Sequence, residues 1–344
     1  MPSYGARLYN GAGELLPGLP LLGVQAGTVV NGLGDCTLTF ARIRSPRAWW
    51  KDARYADVWR LDAPVARIGA FWLETWTEKA QRGAMTWTAQ GKTALRFLEG
   101  RVLSTTTTLA LQAGSVASQI MQMAFQSGLP YTTWLPVCGS AEGPSVTVEI
   151  RAGSGALAAL AGVADQAWAY LRPQRLLYDI LPTYTTSGRL AFQPAVWLGE
   201  YGADRRVGYG IRPVALRVDA ATREYEATED WSRAVTVVNV DTLSSVTSAA
   251  FDTPPGNRWE RTVGAATRSS TVASEQARLT LAANESSLRL PIDLGRDAWR
   301  LGLRLGDVVS VAYGGRWGTG RLNVFHVAAD AERETVQARL DIEI

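Results

Sequence analysis

The sequence predicts a mainly β protein with a small α+β middle, and three observations carry that prediction. Residues Thr335 to Ile344 set Val336, Ala338, Leu340, Ile342 and Ile344 against polar neighbours with a period of two, which gives a strand one buried and one wet face. This pattern belongs to antiparallel sheets rather than doubly covered parallel ones, and it argues against dinucleotide-binding and P-loop enzymes. The first hundred residues hold more short alternating runs, punctuated by glycine turns and free of any helical period. Only beyond Leu103 does the apolar spacing move towards 3.6.

Taken in order, Arg7 to Tyr9 and Glu14 to Leu16 make an opening hairpin around Asn10-Gly11-Ala12-Gly13. Cys36 to Ile43 alternates Thr37 and Thr39 with Leu38 and Phe40; Ala70 to Glu78 and Met85 to Gln90 do the same with aromatics, turning at Arg82-Gly83. Residues 1–103 therefore form a compact all-β unit, barrel or sandwich. Polar Thr105 to Thr108 opens a second unit, 104–205. There Ser115 caps a helix carrying Val116, Ile120, Met123 and Ala124, which stops at Gly128-Leu129-Pro130. Ser154 precedes a second helix with Leu157, Leu160, Ala161, Ala164, Trp168 and Leu171 on one face, halted by Pro173. Val146 to Ile150, Arg175 to Leu181 and Arg189 to Phe192 are short strands for these helices to cover.

From 206 to 344 strands return, at Val214 to Val218 and Arg233 to Val240, followed by a break at Pro254-Pro255-Gly256. A helical segment near 268–285 sets Val272, Gln276, Leu279 and Ala283 on one side. Leu303 to Tyr313, Thr319 to Ala328 and Thr335 to Ile344 finish the chain as a three-stranded meander turning through Gly314-Gly315-Arg316-Trp317-Gly318. The two β-rich ends read as two copies of a related barrel flanking a mixed centre.

Composition narrows the function. A chain of 344 residues divides into two or three domains, and 47% hydrophobic against 19% charged residues supplies ample core. With 35 basic and 32 acidic residues, the net charge of +3 is too even for a protein whose main work is gripping phosphates. No stretch near 20 residues is continuously apolar, and Met1 to Asn10 lacks a signal pattern, so a soluble chain without a membrane span is expected. Cys36 and Cys138, the two cysteines, make neither a disulfide framework nor a four-ligand zinc site, and both are expected to be buried thiols.

Chemistry-bearing constellations are sparse. His326 is the single histidine and sits in an apolar run, which leaves no triad and no histidine-based metal site. No nucleophile elbow, zinc-protease, phosphate-loop or EF-hand pattern occurs, and no catalytic, cofactor or metal residue is assigned. Glu74 and Glu78 suggest a glycosidase pair, but four residues of strand span roughly 13 Å, beyond the roughly 5 to 9.5 Å such carboxylates keep. Trp72, Glu74, Trp76 and Glu78 share one strand face, which is either a subunit interface anchored by large aromatics or, with the faces reversed, core. Trp49 and Trp50, with Lys51, Asp52 and Arg54, read equally as an interface loop or a solvated loop with a tucked ring. Gly306 and Asp307 form a corner, glycine permitting the bend and the carboxylate accepting backbone N–H groups.

The order of these signals resembles the central hub proteins of phage tail tips and baseplates. Arg67-Ile68-Gly69-Ala70-Phe71-Trp72-Leu73, followed by Met85-Thr86-Trp87-Thr88-Ala89-Gln90-Gly91, is similar to the first hub barrel, in which a strand after an Arg-Ile-Gly corner pairs with one ending in glycine. The Ser154 helix with Arg175 to Leu181 and Gly188 to Phe192 resembles the family's small α/β module. Arg233 to Asn239 resembles the strand opening the second barrel, and Leu303 with Gly306 to Val309 its corner. The resemblance implies two antiparallel β-barrel domains flanking a small α+β domain, with Gly69, Gly91, Gly306 and Asp307 as architectural positions. It further implies a non-enzymatic homotrimer in a long-tailed phage, adapting a sixfold tail tube to a threefold tip around the DNA exit channel. Implied partners are further copies of itself, a distal tail or tube protein, the tape-measure C-terminus and a tip or fibre protein. DNA would pass through without specific binding, and the hub would assemble in the host cytoplasm and reside in the virion. A carbohydrate-binding tail-fibre or adhesin module, read from the exposed tryptophan candidates, is the alternative.

Overall fold

The computed structural model describes residues 3–42, 49–81, 84–125, 136–171, 175–199, 201–206, 214–218, 234–239, 248–251, 260–265, 273–274, 277, 288–295, 297–313 and 315–343. The first part runs β1 (Tyr4–Asn10), β2 (Leu21–Val29), β3 (Asp35–Ala41), a short 3-10 turn (Trp49–Asp52), β4 (Ala53–Arg60), β5 (Ala66–Gln81), β6 (Ala84–Thr93) and α1 (Arg96–Glu99). The middle holds β7 (Thr107–Gln112), α2 (Ala113–Phe125), β8 (Ser145–Ile150), α3 (Ala156–Leu171), β9 (Arg175–Tyr184) and β10 (Leu190–Gly199). The last part begins with β11 (Ala215–Val218), β12 (Ala234–Asn239), β13 (Ser248–Phe251) and β14 (Glu260–Ala265). It continues through β15 (Leu288–Asp293), α4 (Asp297–Arg300), β16 (Val308–Tyr313), β17 (Arg316–Ala329) and β18 (Glu334–Glu343).

The two β-rich ends share one 11-stranded sheet. Its main path is β1-β4-β5-β6-β3-β2-β17-β16-β11, with β18 on β17 and β15 on β18. The seam is the β2–β17 ladder, from Val24↔Ala329 to Val29↔Val324. Alternation of Val24 and Ala26 with Gln25 on β2, and of Phe325 and Val327 with His326 and Ala328 on β17, puts the apolar side chains of both strands on one face. Among the described residues this path has two free ends, β1 and β11, so no closed barrel forms within it. Almost every ladder is antiparallel; β11–β16 and β12–β14 are parallel.

Packing follows the same division. One core joins Leu8, Phe40, Val58 and Phe71 of the first part to Leu290, Trp299, Val311 and Leu340 of the last. A second core lies on the middle, where Tyr9, Tyr55, Leu98, Ile120, Leu160 and Phe192 meet. The middle segment thus covers one side of the first part while the last part shares the other.

Several expectations need correction. Helix α2 begins before Ser115, because the N–H groups of Ala113 and Gly114 donate to the carbonyls of Pro144 and Glu142 and need no serine cap. In α3 the buried line is Ala156, Leu160, Val163 and Ala167, rotated by about one residue from the expected face. Small Ala156, Val163 and Ala167 permit close approach, and the bulkier Trp168 lies half-buried at the flank under the Arg175 guanidinium, 4.7 Å from its ring centre. Cys36 is buried but Cys138 is exposed. The segment 268–285 is helical at Ala273, Ser274 and Ala277, the rest lying outside the described residues, as do Arg82-Gly83, Gly128-Leu129-Pro130, Pro173 and Pro254-Pro255-Gly256.

Candidate assembly surfaces and the polar nodes that orient them

The tryptophan row of β5 does not exist as one face. Strand β5 pairs Leu73 with Gly91 but Thr75 with Gln90, so Glu74 is an extra residue, a β-bulge. The slip reverses the alternation. Trp72, before it, stacks on Phe97 at 4.4 Å in the middle core, whereas Trp76, after it, stacks on Phe40 at 5.8 Å in the shared core. Trp50 closes over Trp76 and Trp87 at 5.4 and 4.9 Å, and Trp49 also lies half-buried against that core. Glu74 turns outward and pairs with Arg96 at 2.7 Å.

Gly91 sits opposite the bulge, and a Cβ there would stand 2.2 Å from the Trp72 carbonyl oxygen. Only glycine admits the bulged strand so closely. Gly69 lies where β4 and β5 slip register between Val58 and Trp59, and its missing Cβ would press the Phe71 ring at 3.0 Å. Gly306 has φ of +81°, and its N–H donates to Leu322 at 2.7 Å. Beside it Asp307, 2% exposed, accepts the N–H groups of Ala203 at 2.8 Å and Arg304 at 3.0 Å, with Arg205 at 3.6 Å. Burial nevertheless pushes its carboxyl above the usual range, outweighing those donors.

Two buried polar nodes tie the three parts together, and sequence reasoning passed over nearly all their members. At the first, Asp57 of β4, fully buried, accepts Arg67 Nε at 2.7 Å and the hydroxyl of Tyr184 from β9. Arg67 also donates to the Pro182 carbonyl at 3.0 Å. At the second, Glu334 of β18, its side chain 1% exposed, accepts Arg60 Nε at 3.2 Å, Trp299 Nε1 at 3.1 Å and the hydroxyl of Tyr4. Arg60 in turn covers the Trp299 ring at 5.2 Å. Burial, and then the carboxylate each one donates to, hold Tyr4 and Tyr184 above the ordinary phenol range. Further links run from Asn31, whose Nδ2 donates to Leu176 and whose Oδ1 accepts from Tyr178, and from Arg175 to Asp341 at 3.8 Å. Arg67 had a visible signal, its Arg-Ile-Gly corner; Asp57, Arg60 and Glu334 had none, because their partners are 10 to 330 residues away.

Among the described residues no group of three His, Cys, Asp or Glu side chains is placed to hold a metal ion. His326 stands half-buried on β17 opposite Gly27, where a Cβ would lie 3.0 Å from its ring. No helix among the described residues is long and apolar enough to cross a membrane. Among the described residues the most exposed large hydrophobic one is Trp317, 68% exposed near the start of β17.

No family model matches the sequence, and no curated protein sequence does. Solved structures do. The 43 kDa tail protein of prophage MuSo2 from Shewanella oneidensis superposes with a TM-score of 0.58 at 12% identity, over 99% of this chain and 98% of its own. The tail protein from Neisseria meningitidis MC58 gives 0.57 at 15% identity, over 98% and 96%. The chain has the fold of phage tail proteins. Prophage tail protein gp18 from Listeria monocytogenes EGD-e extends the likeness, with a TM-score of 0.51 at 14% identity over 95% and 90%. Coverage near completeness on both sides means that the whole order of parts is shared with these tail proteins, not one module of it.

Proposed function

We propose that this chain is a structural virion protein, the homotrimeric hub of a phage tail tip or baseplate. The observation that carries the reading is the whole-chain likeness in fold to tail proteins of comparable length. Parts 1–103 and 206–344 are read as the two barrel-like units of each subunit and 104–205 as the α+β module. Three copies then present six β units in a ring, which matches a sixfold tail tube above to a threefold tip below. The sheet ends β1, β11 and β15, which pair no further named strand among the described residues, support this reading, since closure of identical copies covers edges that a monomer leaves open.

In this role the chain is not an enzyme. It meets a distal tail or tube protein, the C-terminus of the tape measure and a tip or fibre protein in a long-tailed phage, and it surrounds the DNA exit channel. The buried nodes hold its parts in one relative orientation, and Trp317 is an exposed anchor for a neighbour. Light scattering on purified protein, alone and mixed with its tail partners, tests the reading. A mass three times 37.2 kDa is expected; a chain that stays monomeric and ignores tail proteins refutes it.

A further inference from the structure

The outward face of the shared sheet carries an uncharged polar strip that runs straight across the seam. Register places Thr75, Gln90, Thr37, Gln25, Ala328 and Thr335 in one row over β5, β6, β3, β2, β17 and β18. Thr77, Thr88, Thr39 and Gly23 form the next row. Their strand neighbours Ala89, Leu38, Val24, Val327 and Val336 belong to the shared core, which fixes both rows on the opposite face. None of these positions is ionisable, although roughly a quarter to a third of surface positions carry charge. Charges resume at the margins, with Lys92 and Asp35 on one side and, on the other, the Arg42–Glu78 pair, 3.3 Å apart, and Asp330 and Arg333 of the β17–β18 turn. A groove of about 410 Å³ follows the strip at the seam, between Gln25, Thr37 and Thr39 and the β18 residues Thr335 and Gln337, with Asp330 and Arg333 at its turn end.

Six strands at a spacing of roughly 4.8 Å make this strip roughly 24 Å wide. Duplex nucleic acid carries one charge per roughly 1.7 Å and adheres where lysine and arginine release its counterions. Over β5, β6, β3 and β2 a wall of hydroxyls and amides holds water and offers neither a cation to displace those counterions nor a carboxylate to raise a repulsive barrier, and at the β17–β18 turn Arg333 is set off by Asp330. We propose that this strip is the lumen wall of the ring, the surface past which duplex nucleic acid slides without being held. The inference rests on the hub reading above and adds which face of the sheet points inward.

The test uses the full chain with Cys138→Ser, carrying Gln25→Cys or Thr37→Cys, assembled into its oligomer. A small maleimide dye is expected to label the oligomer, and the same maleimide on a bead too large for the lumen to react at least tenfold more slowly. In the dissociated chain both are expected to react. Separately, the oligomer carrying Gln25→Lys, Thr37→Lys and Gln337→Lys is expected to hold a short DNA duplex at least tenfold more tightly than the unmodified oligomer at low salt, and to release it as salt rises. An oligomer labelled equally fast by bead and dye overturns the inward placement while leaving the hub intact. Salt-dependent retention of the duplex by the unmodified oligomer overturns the non-adhesive wall. A chain that forms no oligomer under any condition overturns the hub reading first, and this inference with it.

Discussion

Replacing Glu334 by alanine removes the acceptor at the centre of the node between the two β-rich ends. Arg60, whose side chain is 10% exposed, loses its carboxylate at 3.2 Å, and the Trp299 indole and Tyr4 hydroxyl lose their acceptor at the same time. Breaking a buried pair by removing one partner costs about 3–5 kcal/mol. Asp62, 3.9 Å from Arg60, offsets part of this, while the two orphaned donors add about 1 kcal/mol each. A net loss of about 4 kcal/mol corresponds to a drop of roughly 5 to 6 °C in thermal midpoint for a chain of this size. Glu334→Gln keeps the shape and the acceptor oxygen but not the charge, so about half that drop is expected. Hydrogen exchange supplies the second readout. Amides of β1 and of α4 should lose protection together in Glu334→Ala, because the node joins them. A midpoint shift below roughly 2 °C, or loss of protection on one side only, refutes the claim that this node couples the ends.

Three further outcomes follow from the geometry. Gly91→Ala drives a Cβ towards the Trp72 carbonyl and is expected to destabilise by about 2–3 kcal/mol in urea unfolding, whereas Gly18→Ala, which meets nothing within 4 Å, should stay within about 0.5 kcal/mol. The phenols of Tyr4, Tyr178 and Tyr201 are all raised, chiefly by burial. Their contribution is therefore complete below the unfolded phenol value near pH 10 and is lost as pH climbs past it, by about 1.4 kcal/mol per pH unit for each phenol; alkaline titration should show unfolding that begins there, and a pH-independent midpoint up to pH 12 contradicts it. Trp317→Ala should leave the thermal midpoint of the isolated chain unchanged, its ring being 68% exposed, while weakening association between subunits or with a tail partner at least tenfold by sedimentation.

Strand identity was legible wherever alternation was clean, as in β3, β6 and β18, because a half-buried strand writes its two faces into the sequence. Strand β2 was missed. Its Leu21-Leu22-Gly23-Val24-Gln25-Ala26-Gly27 run places glycines at outward positions where polar residues would mark the period, and this strand is the one that joins the two ends. The bulge at Glu74 was equally silent, since an inserted residue leaves composition and local propensity unchanged while inverting everything after it. Helix α4 and strand β15 fell in the stretch between the helical segment near 268–285 and the meander from Leu303, for which no element was assigned. Of the site, Asp307 was legible because its donor Arg304 and the turn glycine Gly306 are close in sequence, while Glu334 meets Tyr4 across 330 residues and no local pattern encodes such a pairing.

That long-range pairing bears on why the junctions are polar at all. Apolar side chains of similar volume would hold the same surfaces together at equal or lower free energy, because two charges leave water to form each node. Hydrophobic contact, however, is non-directional and tolerates sliding. A guanidinium aimed at a carboxylate, with a phenol or an indole as a further donor, is satisfied in one geometry and costly in others. Asp57 with Arg67 and Tyr184 fixes the middle against the first part, and Glu334 with Arg60, Tyr4 and Trp299 fixes the first part against the last. Orientation rather than added stability is what such nodes supply. It is also what the proposed ring would require of its subunit, since a few degrees of play between the first and last parts would be repeated at every copy and would prevent closure.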